Sequence, residues 1–139
     1  MFKLNPVLQS DTVCIGEFEL SLMLLSLDAH YPWVILVPKR VDVTEIYQLT
    51  VADRFLLMDE SCLLANALQQ EFSPDKLNIA TIGNHVPQLH MHHVCRYKSD
   101  ISWPNPVWGQ EPALAYQDVA LAAMKQRLRS RLGAQLYID

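Results

Sequence analysis

The sequence predicts an α+β fold: a sheet of about five strands, one long helix packed on it, and a helical extension at the C-terminal end. Three observations predict it. Short apolar or alternating runs recur at 12–19, 20–27, 33–37, 76–82 and 88–94, each of a length that suits a strand. One longer stretch, 42–72, carries apolar residues at helical spacing, and a second helical pattern closes the chain at 118–132. With 139 residues, a single domain over 1–139 is expected, its core at about 12–96 and a loop and helix added at about 97–132.

Residues 1–11 carry Pro6 and several polar side chains and are expected to wrap the surface. The run at 12–19 starts apolar and then alternates. That at 20–27 is almost wholly apolar and short, which reads as a buried strand ahead of a turn. Asp28 to Pro32 is turn chemistry, because Pro32 restrains Tyr31 and cannot sit within a strand. Residues 33–37 are rich in β-branched side chains and end at Pro38. Thr44 followed by Glu45 is expected to open the helical stretch, with a break near 51–54 dividing a short helix from a long one, and Ser73-Pro74 to close it. Its apolar stripe is expected to comprise Ile46, Leu49, Phe55 or Leu56, Leu63, Ala67 and Leu68. Gly83-Asn84 signals a tight turn before the next strand. Trp103, Pro104, Pro106 and Trp108 suggest a rigid packed loop, and Pro112 a start for the last helix. In that helix Val119, Leu121, Ala122, Leu128 and Leu132 give a weak apolar face, and Arg127, Arg129 and Arg131 suit its C-terminal dipole.

Composition excludes several classes. Half of the residues are hydrophobic and 19% charged, the formal charge is −4 and the isoelectric point about 5.7. A phosphate-backbone grip needs a basic surface, so nucleic acid is not expected as a partner. No apolar run is long enough to span a bilayer and the N-terminal residues do not form a signal peptide, so no membrane partner and a cytoplasmic location are expected. Cys14, Cys62 and Cys95 are odd in number and widely spaced, which reads as reduced thiols, not a disulfide framework. No Cys-x-x-Cys pair suggests structural zinc, and no cofactor is implied.

Chemistry concentrates in residues 83–96, Gly-Asn-His-Val-Pro-Gln-Leu-His-Met-His-His-Val-Cys-Arg, which hold four of the five histidines. In an extended strand Gln88, His90 and His92 would project from one face, with Leu89, Met91 and His93 on the other. A row of amide and imidazole groups on one strand face, backed by apolar residues, is an unusual thing to build for stability alone. The bland alternative is a half-buried strand that happens to carry histidines. A metal reading is also open, because histidines two apart on a strand chelate zinc and His85 or Asp100 could add a ligand. His93, facing the other way, reads as a histidine hydrogen-bonded to a neighbour. Arg96, Lys39 and Arg40 read as surface cations, and Trp103 and Trp108 as packing groups.

Gln88-Leu89-His90-Met91-His92-His93-Val94, led by Val86-Pro87 and followed by Arg96, resembles the motif of the histidine triad (HIT) superfamily, in a bacterial-type form with glutamine in place of the first histidine. The run Trp33 to Arg40 resembles the HIT strand that ends in Pro-Lys and a basic residue. Many HIT proteins have a histidine at the position of Trp33 that orients the triad, and His30 does not align with it. The phosphate loop of the family reads as shortened here to a few residues. The resemblance implies a mainly antiparallel sheet with the long helix between the Pro-Lys and histidine strands, and a homodimer, for which the run 20–27, Trp103 and Trp108 leave apolar material. It implies hydrolysis or transfer at the α-phosphate of a nucleotide derivative, a dinucleoside polyphosphate such as diadenosine tetraphosphate or a nucleoside phosphoramidate. His90 matches the attacking histidine that forms a nucleotidyl intermediate, and His92 the residue that assists the leaving group. Gln88 would orient a phosphate, Asn84 and His85 would contact it, and Asp28 would bind the ribose. The alternatives are a nucleotide-binding protein on this scaffold with little turnover, for which Gln88, Trp33 and the shortened loop speak, and a metal-binding domain.

Overall fold

A computed structural model describes residues 1–138. In chain order its elements are α1 (Pro6–Asp11), β1 (Thr12–Glu17), β2 (Ser21–Ser26), β3 (Trp33–Pro38), a 3-10 turn (Ile46–Gln48), α2 (Val51–Phe72), β4 (Lys76–Ala80), β5 (Met91–Arg96) and α3 (Asp118–Leu132). The strands form one sheet in the order β1-β2-β3-β5-β4, and every neighbouring pair is antiparallel. The α+β expectation is met, and the long helix lies between the Pro-Lys strand β3 and the histidine strand β5.

Helix α2 packs on one face of the sheet. Met23, Leu25, Val34, Leu36 and Cys95 from the strands meet Leu64, Ala67 and Leu68, and α3 adds Leu128 and Leu132. Each large side chain buried here contributes about 1.5–3 kcal/mol. The expected stripe is met at Leu49, Ala67 and Leu68 but shifts in its middle: Leu57 and Leu64 are buried, whereas Phe55 and Leu63 are exposed. The reason is that residues 55–58 are all apolar, so spacing alone leaves the phase open, and three polar residues occupy the inner face. Asp53 accepts two hydrogen bonds from Arg40, Glu60 accepts from the backbone N–H of Leu20, and the Ser61 hydroxyl bonds the His93 ring. Each ties the helix to a different piece of the sheet. Thr50, not Thr44, caps α2, its side chain accepting from the N–H of Asp53. Ser73 ends the helix in the left-handed conformation, φ 46°, and Pro74 follows.

The opposite face of the sheet is covered by the N-terminal segment. Leu8 of α1 packs with Leu24, Ile35, Val37 and Val86, and Phe2 and Leu4 extend the cluster. Three further expectations need correction. Strand β5 begins at Met91, so Gln88 and His90 precede it, and the connection from β4 spans ten residues, 81–90, not a few. Pro112 does not open α3, which begins at Asp118. Most of the run 20–27 is spent within this chain, since Leu20, Met23, Leu24 and Leu25 are buried, and only Leu22 and Leu27 stay half-buried.

Arg96 is the largest departure, because it is 1% exposed. Its guanidinium gives two hydrogen bonds to the Asp100 carboxylate, at 2.8 and 3.1 Å, and a third to the Asn78 side chain at 2.8 Å. Asp100 also accepts from the N–H groups of Tyr97, Ser102 and Trp103. Burial alone would raise this carboxyl, but Arg96 and the N–H groups of Tyr97 and Ser102 outweigh it and hold it at about 2. The network shapes the loop that carries both tryptophans. Breaking a buried charge pair by removing one partner costs about 3–5 kcal/mol. Asp100→Asn is therefore expected to destabilise the chain by about 3 kcal/mol in urea unfolding at pH 7. A change under about 0.5 kcal/mol, the range of ordinary surface substitutions, would show that the pair is not structural.

Candidate active site

The register of β3 against β5 builds the site. Ile35 stands opposite His92 and Val34 opposite His93, so His92 lies on the face away from α2 and His93 on the face beneath it. His93 is fully buried there, bonded to Ser61 at 2.8 Å, while its Nδ1 donates to the carbonyl of Met91. His90 lies just before the strand, yet its ring remains beside that of His92, with centroids 4.8 Å apart and nearly perpendicular planes.

Neighbours set the proton positions on both rings. His90 Nδ1 lies 2.7 Å from the carbonyl oxygen of Gln88, which only accepts, so Nδ1 carries the proton and Nε2 keeps a lone pair. His92 Nδ1 lies 3.0 Å from the indole nitrogen of Trp33, which only donates, so here Nδ1 holds the lone pair and Nε2 the proton. The two rings are opposite tautomers. Burial pushes the His92 imidazole down to about 3, with the neighbouring His90 and His93 acting in the same direction. Burial also lowers His93, to about 4, against the opposing pull of the Met91 and Val34 carbonyls.

Two cavities meet at His90. One, of about 260 Å³, is bordered by both histidines, Trp33 and Trp108, with Asp11 and Ser26 on its wall. Asn84 and His85, from the loop after β4, border it too. The second, of about 240 Å³, is polar, with Thr44, Glu45, Thr81 and Gln88 around His90. Gly83 touches both and holds φ 73°, a turn that favours glycine.

Not every expected residue comes together. Gln88 does not project beside the histidines as a strand residue would. Its side-chain oxygen accepts from the N–H of Asn5 at 2.9 Å, and its amide nitrogen donates to the carbonyl of Lys3 at 2.8 Å. It joins the N-terminal arm to the histidine segment, while its backbone carbonyl serves His90. Asp28 borders an adjoining cavity that shares Asp11, Ser26, Trp33 and Trp108 with the first, and one of its oxygens accepts from the N–H groups of His30 and Leu114 and from the His30 ring. Asp100, a candidate zinc ligand, is held by Arg96, and among the described residues no group of three metal-ligating side chains converges. Sequence reasoning missed Asp11 and Ser26, which carry no local signal, and took Trp108 for packing alone, although its ring stands 5.1 Å from that of His92.

Comparison with known families agrees with this geometry. The model of the HIT domain matches residues 7–99. The chain belongs to the HIT family. A histidine triad protein from Marinobacter aquaeolei VT8 is 41% identical, with a TM-score of 0.94 over 97% of this chain and 98% of that one. One from Bradyrhizobium japonicum is also 41% identical, with a TM-score of 0.92 over 94% and 97%. One from Sinorhizobium meliloti 1021 is 36% identical, with a TM-score of 0.92 over 95% and 98%. No curated protein matches the chain. No helix among the described residues of this HIT protein is long and apolar enough to cross a membrane.

The depressed histidines predict an acid sensitivity. Between about pH 4 and 6.5 the unfolded chain binds protons that folded His92 and His93 refuse, so stability falls as pH drops through that window. Each residue adds a slope of up to about 1.4 kcal/mol per pH unit. Urea unfolding at pH 7 and pH 5 measures it, and His93→Gln is expected to flatten the dependence. Equal stability at both pH values would contradict the buried, neutral state of these rings.

Proposed function

We propose that this HIT protein hydrolyses or transfers the nucleotidyl group of a nucleotide derivative by attack of His90 on the α-phosphorus. The observation that carries this reading is the pair of opposite tautomers: an imidazole with a free Nε2 lone pair stands 4.8 Å, ring to ring, from one whose Nε2 bears a proton. One ring can attack and the other can donate to the departing group, without either being charged. His90 Nε2 forms a bond to phosphorus, the leaving group departs with its electron pair, and water later displaces His90. His92 hydrogen-bonds the leaving group. The aromatic cavity receives the nucleoside, Asp11 and Ser26 stand where sugar hydroxyls would reach, and Asn84 and His85 border the phosphate.

Gln88, in this reading, acts through its backbone carbonyl on His90 and through its side chain on the N-terminal arm. Asp28, on the wall of the adjoining cavity, shapes the turn after β2 and is proposed to contact the ribose. A dinucleoside polyphosphate or a nucleoside phosphoramidate supplies the nucleotidyl group, and the reaction runs in the cytoplasm, where the unpaired thiols of Cys62 and Cys95 stay reduced.

His90→Ala is expected to abolish the covalent nucleotidyl adduct and lower turnover of a dinucleoside polyphosphate by about 10³-fold or more, with nucleotide affinity kept. Mass spectrometry of the quenched reaction locates the adduct. An adduct on His85 or His93, or full turnover by His90→Ala, would refute the assignment. A chain that binds nucleotide but forms no adduct would be a binding protein on the HIT scaffold.

The protein is also proposed to act as a homodimer. Val51, Phe55 and Met58 are 61%, 70% and 60% exposed, and with Cys62 they form one stripe along the outer side of α2. A second copy would cover it. Light scattering is expected to give a dimer, and Phe55→Glu with Met58→Glu a folded monomer. A monomeric unmodified chain would count against it.

A further inference from the structure

Among the described residues the one hydrogen bond of the His92 side chain is to Trp33, and its donor cannot become an acceptor. Protonation of His92 at Nδ1 would set two N–H groups against each other across 3.0 Å. Trp108 stands edge-on at 5.1 Å and the Trp33 ring itself at 5.6 Å, so the imidazole is flanked by two indoles, and turning it over to present its other nitrogen would give up the Trp33 hydrogen bond. The other titratable groups bordering its cavity are Asp11 from α1, His85 from the 81–90 loop and His90, and none bonds to it; His93, on the same strand, points to α2.

We propose that Trp33 is a positioning residue that holds His92 permanently as a neutral Nε2–H donor, and that the site consequently serves substrates whose leaving group departs as a stable anion, not as an amine that must take up a proton. The substrate claim rests on attack by His90, as proposed above. In the transfer, the His90 Nε2 lone pair forms the phosphorus–nitrogen bond while the bond to the leaving atom breaks with its electron pair. His92 Nε2–H stabilises that developing negative charge by a hydrogen bond. It does not pass the proton on, because a neutral imidazole that lost it would become an imidazolate. An alkylamine cannot leave on those terms, whereas a phosphate or an acidic phenolate can. Water then adds to phosphorus, the phosphorus–nitrogen electron pair returns to His90 Nε2, and the proton of water goes to solvent. The low proton affinity that burial imposes on His92 acts in the same sense.

The lock and the substrate preference are tested separately. Nitrogen-15 NMR of the full chain, labelled at histidine and tryptophan, reads the His92 tautomer without any substrate. The expected result is a lone pair on Nδ1, a proton on Nε2, a through-bond coupling from the Trp33 indole nitrogen to Nδ1, and no titration from pH 5 to pH 8. Trp33→Phe, which removes the donor and keeps an aromatic ring, is expected to give a tautomer mixture. For turnover, the probes are the p-nitrophenyl ester of adenosine 5′-monophosphate and an adenosine 5′-phosphoramidate with an alkylamine leaving group. The unmodified chain is expected to prefer the ester by about 100-fold in kcat, the range one proton transfer supplies. Trp33→His, whose ring can accept as well as donate, is expected to raise kcat for the amidate about tenfold or more with KM little changed. A His92 that titrates in this range, or that carries its proton on Nδ1, overturns the lock. A locked His92 with equal turnover of both probes, or no shift in the ratio in Trp33→His, overturns the substrate claim. Absence of an adduct on His90 with either probe marks the failure of the proposed reaction itself and leaves the NMR result standing.

Discussion

The pairing of β3 with β5 is the constraint on which the rest depends. Because Ile35 faces His92 and Val34 faces His93, one register sends adjacent histidines to opposite sides of the sheet. A slip of one residue would put His92 beneath α2 and His93 in the open cavity. The register is held from the helix side by Ser61, whose hydroxyl meets the His93 ring, and by the apolar contacts of Val34 and Leu36 with α2. The buried histidine thus stabilises the placement of the accessible one. It also brings Trp33, two residues before Ile35 on the same face, within reach of His92.

The cavity is then closed by pieces that belong to no strand. The N-terminal arm crosses the sheet and is held by both ends of the Gln88 amide, and α1 brings Asp11 to the cavity wall. On the other side, the loop after β5 brings Trp108 against His92, and the Arg96–Asp100 network fixes how that loop leaves the strand. Arg96 needs several partners, because an isolated guanidinium in a dry interior would be costly. Asp100, Asn78 and the rings of Tyr31 and Trp103 supply them. The loop is ordered for the same reason that the arginine can be buried.

Two buried histidines with depressed proton affinity show how packing selects chemistry. Among the described residues the one hydrogen bond of the His92 side chain comes from a donor. His90 is oriented by a backbone carbonyl, not by a charged side chain. What each ring nitrogen faces fixes the tautomer of its neutral form. In this arrangement the glutamine at the first position of the motif contributes a carbonyl and an anchor, neither of which requires an ionisable side chain.

The strands at 12–17, 21–26, 33–38 and 76–80, the final helix and the family were legible in the sequence, because local alternation, proline punctuation and the spaced histidines are short-range signals. The ten-residue connection before β5 was not, since Gln88 and His90 continue the alternation of the strand without joining its ladder. The inner face of α2 was hidden as well: its apolar residues run all round, and Asp53, Glu60 and Ser61 are buried only because Arg40, Leu20 and His93 come to meet them. Arg96 read as a surface cation for the same reason, its partners lying 4 and 18 residues away. The sequence by itself determined which side chains could do chemistry, the histidines two apart, and marked Trp33 only as a departure from the family's histidine. Only the tertiary structure decided which nitrogen of each ring carries a proton, because that depends on whether the atom about 3 Å away gives or accepts a hydrogen bond, and those atoms, the Gln88 carbonyl and the Trp33 indole, are placed by backbone geometry and strand pairing.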